Sequence, residues 1–175
     1  MEVKFKAGDL VIYGETGVCR VDMVGPLDMP TAKQGITYYT LLPLYSDVRI
    51  FAPVGTKVYM RPIISRQDAL ELIDQISSLQ ETDFGTTDLR QLNDMYQQAV
   101  KAYECIDMVK FIKAVYTKRQ RSIDSGKKPG QADERYLKQA EDLLYGELAV
   151  ALGIPKSEVK GVIEQAVERA ESGAS

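Results

Sequence analysis

The chain has 175 residues, with 22 Lys plus Arg, 25 Asp plus Glu, two Cys and neither His nor Trp, so its formal net charge is −3. Without His there is no Ser–His–Asp triad, no Cys–His pair and no His-ligated metal, and Cys19 and Cys105 form no CxxC, so neither a zinc knuckle nor a redox pair is expected. The first residues lack the apolar core of a secretory signal, and no apolar run approaches the ~18 residues of a membrane-spanning helix, so a reducing, cytoplasmic setting without a membrane is the expectation.

Residues 1–60 read as β. Leu10 to Tyr13 form a short apolar run, followed by hairpin-turn chemistry at Gly14-Glu15-Thr16-Gly17. Val18 to Val24 alternates and runs into Gly25-Pro26. Ile36 to Leu44 is rich in β-branched and aromatic residues, Val48 to Ala52 is closed by Pro53, and Val58 to Met60 precedes Arg61-Pro62. Five short strands separated by turns predict a small half-open barrel of SH3 or Tudor type, because an isolated sheet that short buries too little apolar surface.

After Pro62 the apolar period changes to helical. Ser65 with Asp68 resembles a capping box, and Ala69, Leu70, Leu72, Ile73, Ile76 and Leu79 follow at helical spacing. Thr86-Thr87-Asp88 offers an N-cap for Leu89, Leu92, Met95, Tyr96, Ala99 and Val100. Ile106, Val109, Phe111, Ile112, Val115 and Tyr116 form a third apolar set, interleaved with Lys and Arg. Ser122 to Gln131 reads as a polar loop. A fourth helix starts at Asp133, with Leu137, Ala140, Leu143, Leu144, Leu148 and Leu152 inward and Gly153 as its C-cap. Pro155 opens a last helix to about Ala170, and Ser172 to Ser175 should fray. The fold class is thus α+β, β then all-α: a β module over 1–62, a bundle of about five helices over 63–171 and a frayed tail over 172–175.

The net charge averages over blocks. Residues 1–60 are neutral, 61–100 carry −4, 101–128 carry +5 and 129–175 carry −4. Lys110, Lys113, Lys118, Arg119 and Arg121 recur at helical spacing, and Lys127-Lys128 follow in the loop. The block suits either a solvated helix exterior or a phosphate-contacting surface, which would release counterions but read no sequence. Catalytic patterns are missing: there is no GxxxxGK[ST] and no GxSxG. The acidic pairs Asp133-Glu134 and Glu141-Asp142 are adjacent and read as solvated helix faces. No enzyme activity, metal or cofactor is expected.

The opening Phe5-Lys6-Ala7-Gly8-Asp9-Leu10-Val11-Ile12-Tyr13 with Gly17 and Val21, the stretch Tyr39-Thr40-Leu41-Leu42, the pair Ala52-Pro53 and the segment Ala140 to Ala149 together resemble the CarD-family (CdnL-like) bacterial transcription regulators. The N-terminal module of that family is similar to the RNA-polymerase-interacting domain of transcription-repair coupling factors. The resemblance implies a non-enzymatic regulator whose Tudor-like module pairs strand-to-strand with the RNA polymerase β subunit. Its helical domain would touch promoter DNA in the minor groove at the upstream edge of the bubble and stabilise the open complex. The implied polymerase-binding residues are Val48, Arg49, Ile50, Phe51 and Ala52. The family's supporting Arg falls at Phe51 here, so Arg49 is expected to substitute.

Some members place a Trp wedge at the start of the second bundle helix, and the matching residue here is Leu89, either an aliphatic wedge or a core residue. Asp94 stands where a basic residue is expected, which moves the implied DNA contacts to Leu89, Arg90, Lys118, Arg119, Arg121, Lys127, Lys128 and Arg135. DNA binding by the chain alone would be weak, with tethering to polymerase raising the effective concentration. The chain is expected to be monomeric and nucleoid-associated through polymerase. The competing reading is a protein–protein adaptor that docks on polymerase without significant DNA contact.

Overall fold

The computed structural model describes residues 2–101 and 104–173. The chain divides into two compact units, Met1–Ile63 and Ile64–Ser175.

The first unit is a five-stranded antiparallel sheet in the order β4-β3-β2-β1-β5. The strands are β1 Leu10–Tyr13, β2 Gly17–Gly25, β3 Tyr38–Pro43, β4 Ile50–Pro53 and β5 Met60–Pro62. A 3-10 turn over Gly14–Thr16 joins β1 to β2, with Gly14 and Gly17 at positive φ. One face of the sheet packs Val11, Cys19, Val21, Tyr39, Leu41 and Ala52 into a core, with Phe5 set edge-on to the Tyr39 ring. A register shift between Val21 and Met23 resets the alternation of β2, so Asp22 and Met23 are exposed in succession.

Three strands differ from expectation, and turn hydrogen bonds account for two of the shifts. The Val48 N–H donates to Ser46 Oγ, so the expected strand Val48–Ala52 begins only at Ile50. The Val58 N–H donates to Thr56 Oγ1, leaving Val58 and Tyr59 exposed and moving β5 to Met60–Pro62. β3 is shorter than Ile36–Leu44, although Val54 N–H to Thr37 O and Leu44 N–H to Val18 O extend the pairing past its ends. The two edge strands end in Pro53 and Pro62, positions where a missing N–H costs no ladder bond.

The second unit holds α1 Arg66–Gln75, α2 Leu89–Lys101, α3 Cys105–Asp124, α4 Gln131–Leu152 and α5 Lys156–Gly173, with a 3-10 turn over Ile76–Ser78 closing α1. Ser65 caps α1 by accepting the Asp68 N–H at 3.0 Å, as its sequence implies. The core collects Leu72, Ile73, Leu92, Tyr96, Phe111, Val115, Leu144, Leu148 and Val159.

Leu70 and Ile106, read in the apolar sets at helical spacing, are 43% and 41% exposed because the buried stripes of α1 and α3 are narrower than those sets. α3 extends through Ser122-Ile123-Asp124, which had been expected in the loop. It ends in a Schellman turn, with Lys127 N–H to Ser122 O, Gly126 N–H to Ile123 O and Gly126 at φ +74°. α4 begins at Gln131, two residues before the expected Asp133, and ends in the same kind of turn at Gly153. α5 runs through Ser172 and Gly173, the first two residues of the expected tail, and Ala174 and Ser175 lie outside the described residues.

Two buried carboxylates structure this unit. Glu147 is fully buried and accepts the Ile64 N–H at 2.7 Å. Asp133, expected on a solvated face, is 5% exposed and bonded to residues of α2 and α3. Of the other acids read as solvated, Glu134 lies against Arg119, Glu141 accepts the Tyr116 hydroxyl at 2.6 Å, and Asp142 stays exposed 3.7 Å from Lys156.

A Cβ at Gly14 would lie 2.9 Å from Val58 Cγ1 at a φ of +47°. Gly14→Ala should therefore lower unfolding stability by about 1–3 kcal/mol. Gly153→Ala, at φ +69° with open space around it, should lose only about 1 kcal/mol. Chemical denaturation of both variants checks the order.

Candidate interaction surfaces

Among the described residues β4 pairs only with β3, through Leu41–Ile50, Thr40–Phe51, Tyr39–Ala52 and Tyr38–Pro53. Its other side is a sheet edge, where unpaired backbone groups can accept an added strand. Ala52 points into the core and Phe51 points outward, 37% exposed. Met23, Thr40 and Phe51 are in register on β2, β3 and β4, with Thr40 buried between the two exposed side chains. Val48 and Arg49 are both exposed and lie immediately before β4 rather than within it. All five residues expected to meet polymerase thus fall on this edge or its approach. Met23 on β2 and Tyr45 after β3 are also exposed, at 57% and 49%. Strict alternation through β2 puts Met23 on the face of Val21, and the register shift turns it outward.

In the second unit, Asp88 caps α2 by accepting the Gln91 N–H at 3.0 Å. The Thr86 hydroxyl oxygen accepts the Asp88 N–H at 3.1 Å and its O–H donates to Gln91 Oε1 at 2.8 Å. Leu89 is the first residue of α2 and is 81% exposed. It lies on the same helical stripe as Leu92, Tyr96 and Val100, all buried. Helical side chains lean toward the N-terminus, so the first residue of a stripe leans over the preceding turn instead of onto a neighbouring helix. Leu89 is therefore a surface residue and not part of the core.

The expected basic face separates into engaged and open cations. Lys113 Nζ donates to Ile76 O at 2.7 Å and Leu79 O at 2.5 Å, satisfying carbonyls after α1. Lys118 Nζ is 3.1 Å from Asp133 Oδ1. Arg119 Nε is 2.9 Å from Glu134 Oε1, in ion-pair contact but not aligned for a hydrogen bond. Lys118 and Arg119, both expected to contact phosphate, are therefore neutralised within the unit.

Arg90, Arg121, Lys127, Lys128 and Arg135 are exposed, with no carboxylate partner among the described residues. Arg135 stacks 4.8 Å over the Tyr136 ring and reaches Asn93 Oδ1 at 3.4 Å. The contacts Asn93–Arg135, Tyr96–Asp133 and Tyr96–Lys118 bring the start of α2, the end of α3 and the start of α4 to one end of the bundle. Asn93, one turn after Leu89, meets Arg135, and Arg121 lines a cavity with Thr86 and Thr87 just before α2.

Burial pushes the Cys19 thiol up to about 11, and Cys105 is also buried. Burial and the Glu141 and Glu164 carboxylates raise the Tyr145 phenol, which stands beside a cavity of about 320 Å³ among α3, α4 and α5. No group of three or more Cys, Asp and Glu among the described residues is placed to hold a metal ion. No helix there is long and apolar enough to cross a membrane.

Leu89→Ala should leave unfolding stability within about 0.5 kcal/mol of the parent, as for a surface residue, where a core Leu would cost about 2–5 kcal/mol. Neither thiol should react with iodoacetamide at pH 8 in the native chain, whereas both should react in denaturant; mass spectrometry reads the difference.

No curated protein matches the chain. Residues 5–64 match the family described as CarD-like/TRCF RID domain. That match covers the whole sheet and its exposed edge, so the N-terminal unit is an RNA-polymerase-interacting domain of the CarD-like/TRCF family.

Proposed function

We propose that the chain regulates transcription by bridging RNA polymerase and promoter DNA. The N-terminal unit docks on the β subunit by adding a partner strand to the open edge of β4, with Arg49 and Phe51 flanking the join. The helical unit presents Leu89, Arg90, Arg121, Lys127, Lys128 and Arg135 to DNA at the upstream edge of the bubble. Leu89 enters the minor groove as an aliphatic wedge while the cations meet phosphates, and the open complex is stabilised. The chain acts as a monomer in the cytoplasm, through polymerase.

The observation that carries this reading is the 81% exposure of Leu89 at the start of α2, the helix whose Asn93 meets the open cation Arg135. An exposed leucine on an otherwise buried stripe is costly to hydrate and suits an apolar partner surface. A second reading, the adaptor without DNA contact, is favoured by the internal neutralisation of Lys118 and Arg119.

A salt series separates the two. Each phosphate contact contributes about 0.9 to the slope of log affinity against log salt. Arg121→Glu with Lys127→Glu and Lys128→Glu should flatten the promoter salt dependence of the polymerase complex by about two to three units. An unchanged slope and open-complex lifetime favour the adaptor.

Leu89→Ala should shorten the open-complex lifetime severalfold without altering polymerase affinity. Arg49→Glu should weaken binding to the β subunit in calorimetry, and unchanged affinity removes Arg49 from the docking edge.

A further inference from the structure

Lys118 is part of a three-helix cluster. Its Nζ lies 3.1 Å from Asp133 Oδ1 and 3.1 Å from the Tyr96 hydroxyl, which donates to the same Oδ1 at 2.7 Å. Tyr96 belongs to α2, Lys118 to α3 and Asp133 to α4. The Asp133 side chain is 8% exposed, so its charge has little water to rely on. The ammonium also sits 5.6 Å from the centroid of the Tyr96 ring. That ring meets Phe84, Phe111 and Tyr136 edge-to-face at 5.0 to 5.8 Å. Burial and the Asp133 carboxylate raise the Tyr96 phenol far above neutrality, so it remains a donor at any physiological pH.

A carboxylate, an ammonium and a phenol that satisfy one another through single atoms restrict the relative placement of three helices: displacement of α3 or α4 leaves the buried Asp133 carboxylate without its cation, and displacement of α2 takes away its phenol donor. α2 depends on this most: its buried residues are Leu92, Tyr96 and Val100, and Tyr96 is the one that is hydrogen-bonded in the cluster. Tyr96 stands seven residues, about two turns, after Leu89.

We infer that Lys118 is a positioning residue and not a phosphate contact: the Tyr96–Lys118–Asp133 clasp sets the placement of α2 and so aims Leu89. Lys118 then releases no counterion when DNA binds, because Asp133 already neutralises it. The inference rests on the proposed role of Leu89 for its functional consequence and on the cluster geometry for the clasp itself.

Two measurements on the full chain decide it. The first is amide hydrogen exchange of α2 in the free protein. Lys118→Met should speed exchange of residues 92–100 by about tenfold or more, as expected when a buried carboxylate loses its cation. Tyr96→Phe should do so less, Arg121→Gln not at all, and Lys118→Met with Asp133→Asn should recover most of the protection. Unchanged exchange in Lys118→Met overturns the clasp.

The second is open-complex lifetime across a salt series. Lys118→Met should shorten the lifetime in proportion to Leu89→Ala and leave the salt slope as in the parent. A slope lowered by about one unit makes Lys118 a phosphate contact and overturns the inference. A lifetime shortened by Leu89→Ala but not by Lys118→Met overturns the positioning role and leaves the promoter reading standing. If Leu89→Ala itself has no effect, the promoter reading and the positioning role both fall, and exchange still decides the clasp.

Discussion

A carboxylate taken out of water needs a cation and hydrogen-bond donors, and the helical unit is organised around meeting that need at Asp133. The Lys118 ammonium and the Tyr96 hydroxyl converge on one of its oxygens from two other helices. Tyr96 in turn anchors an edge-to-face aromatic cluster with Phe84, Phe111 and Tyr136. Polar and aromatic contacts therefore demand the same arrangement of α2, α3 and α4. Glu147 plays a comparable part near the start of the unit, where its buried carboxylate accepts the Ile64 N–H.

The N-terminal unit obeys a different constraint. A sheet of five short strands that does not close has two edges. Each edge strand here carries a Pro near its end, and Arg49 precedes β4. These features limit indiscriminate strand pairing, yet Ile50, Phe51 and Ala52 remain an apolar edge segment with one side unpaired. An edge kept available but short suits selective strand addition. Core and open edge use the same strand, with Ala52 inward and Phe51 outward.

Electrostatics gives the two surfaces different characters. The +5 of residues 101–128 suggests a continuous basic helix, but much of that charge is used internally. Lys113 binds the carbonyls after α1, and Lys118 and Arg119 face carboxylates. The cations left open stand at helix ends and in the 125–130 turn, where the Schellman geometry at Gly126 turns the chain before Lys127 and Lys128.

Local chemistry was legible in the sequence. The helical period after Pro62, the Ser65 cap, the Gly153 turn and the run of short strands each depend on residues within a few positions of one another, and each stands in the structure. The strand starts at Ile50 and Met60 were misplaced by two residues because side-chain bonds from Ser46 and Thr56 to backbone N–H groups take precedence over apolar patterning.

What the sequence could not decide was the fate of individual charges and of Leu89. Asp133 resembles any solvated acid until Lys118 and Tyr96, 15 and 37 residues away, are placed beside it. Leu89 shares the phase of a buried stripe, and only the end of the bundle turns it outward. By itself, then, the sequence determined the order of elements and the family of the first unit, through local periodicity and turn chemistry. The tertiary structure decided which cations stay free and which apolar residue is exposed, because pairing and burial are set by groups distant along the chain.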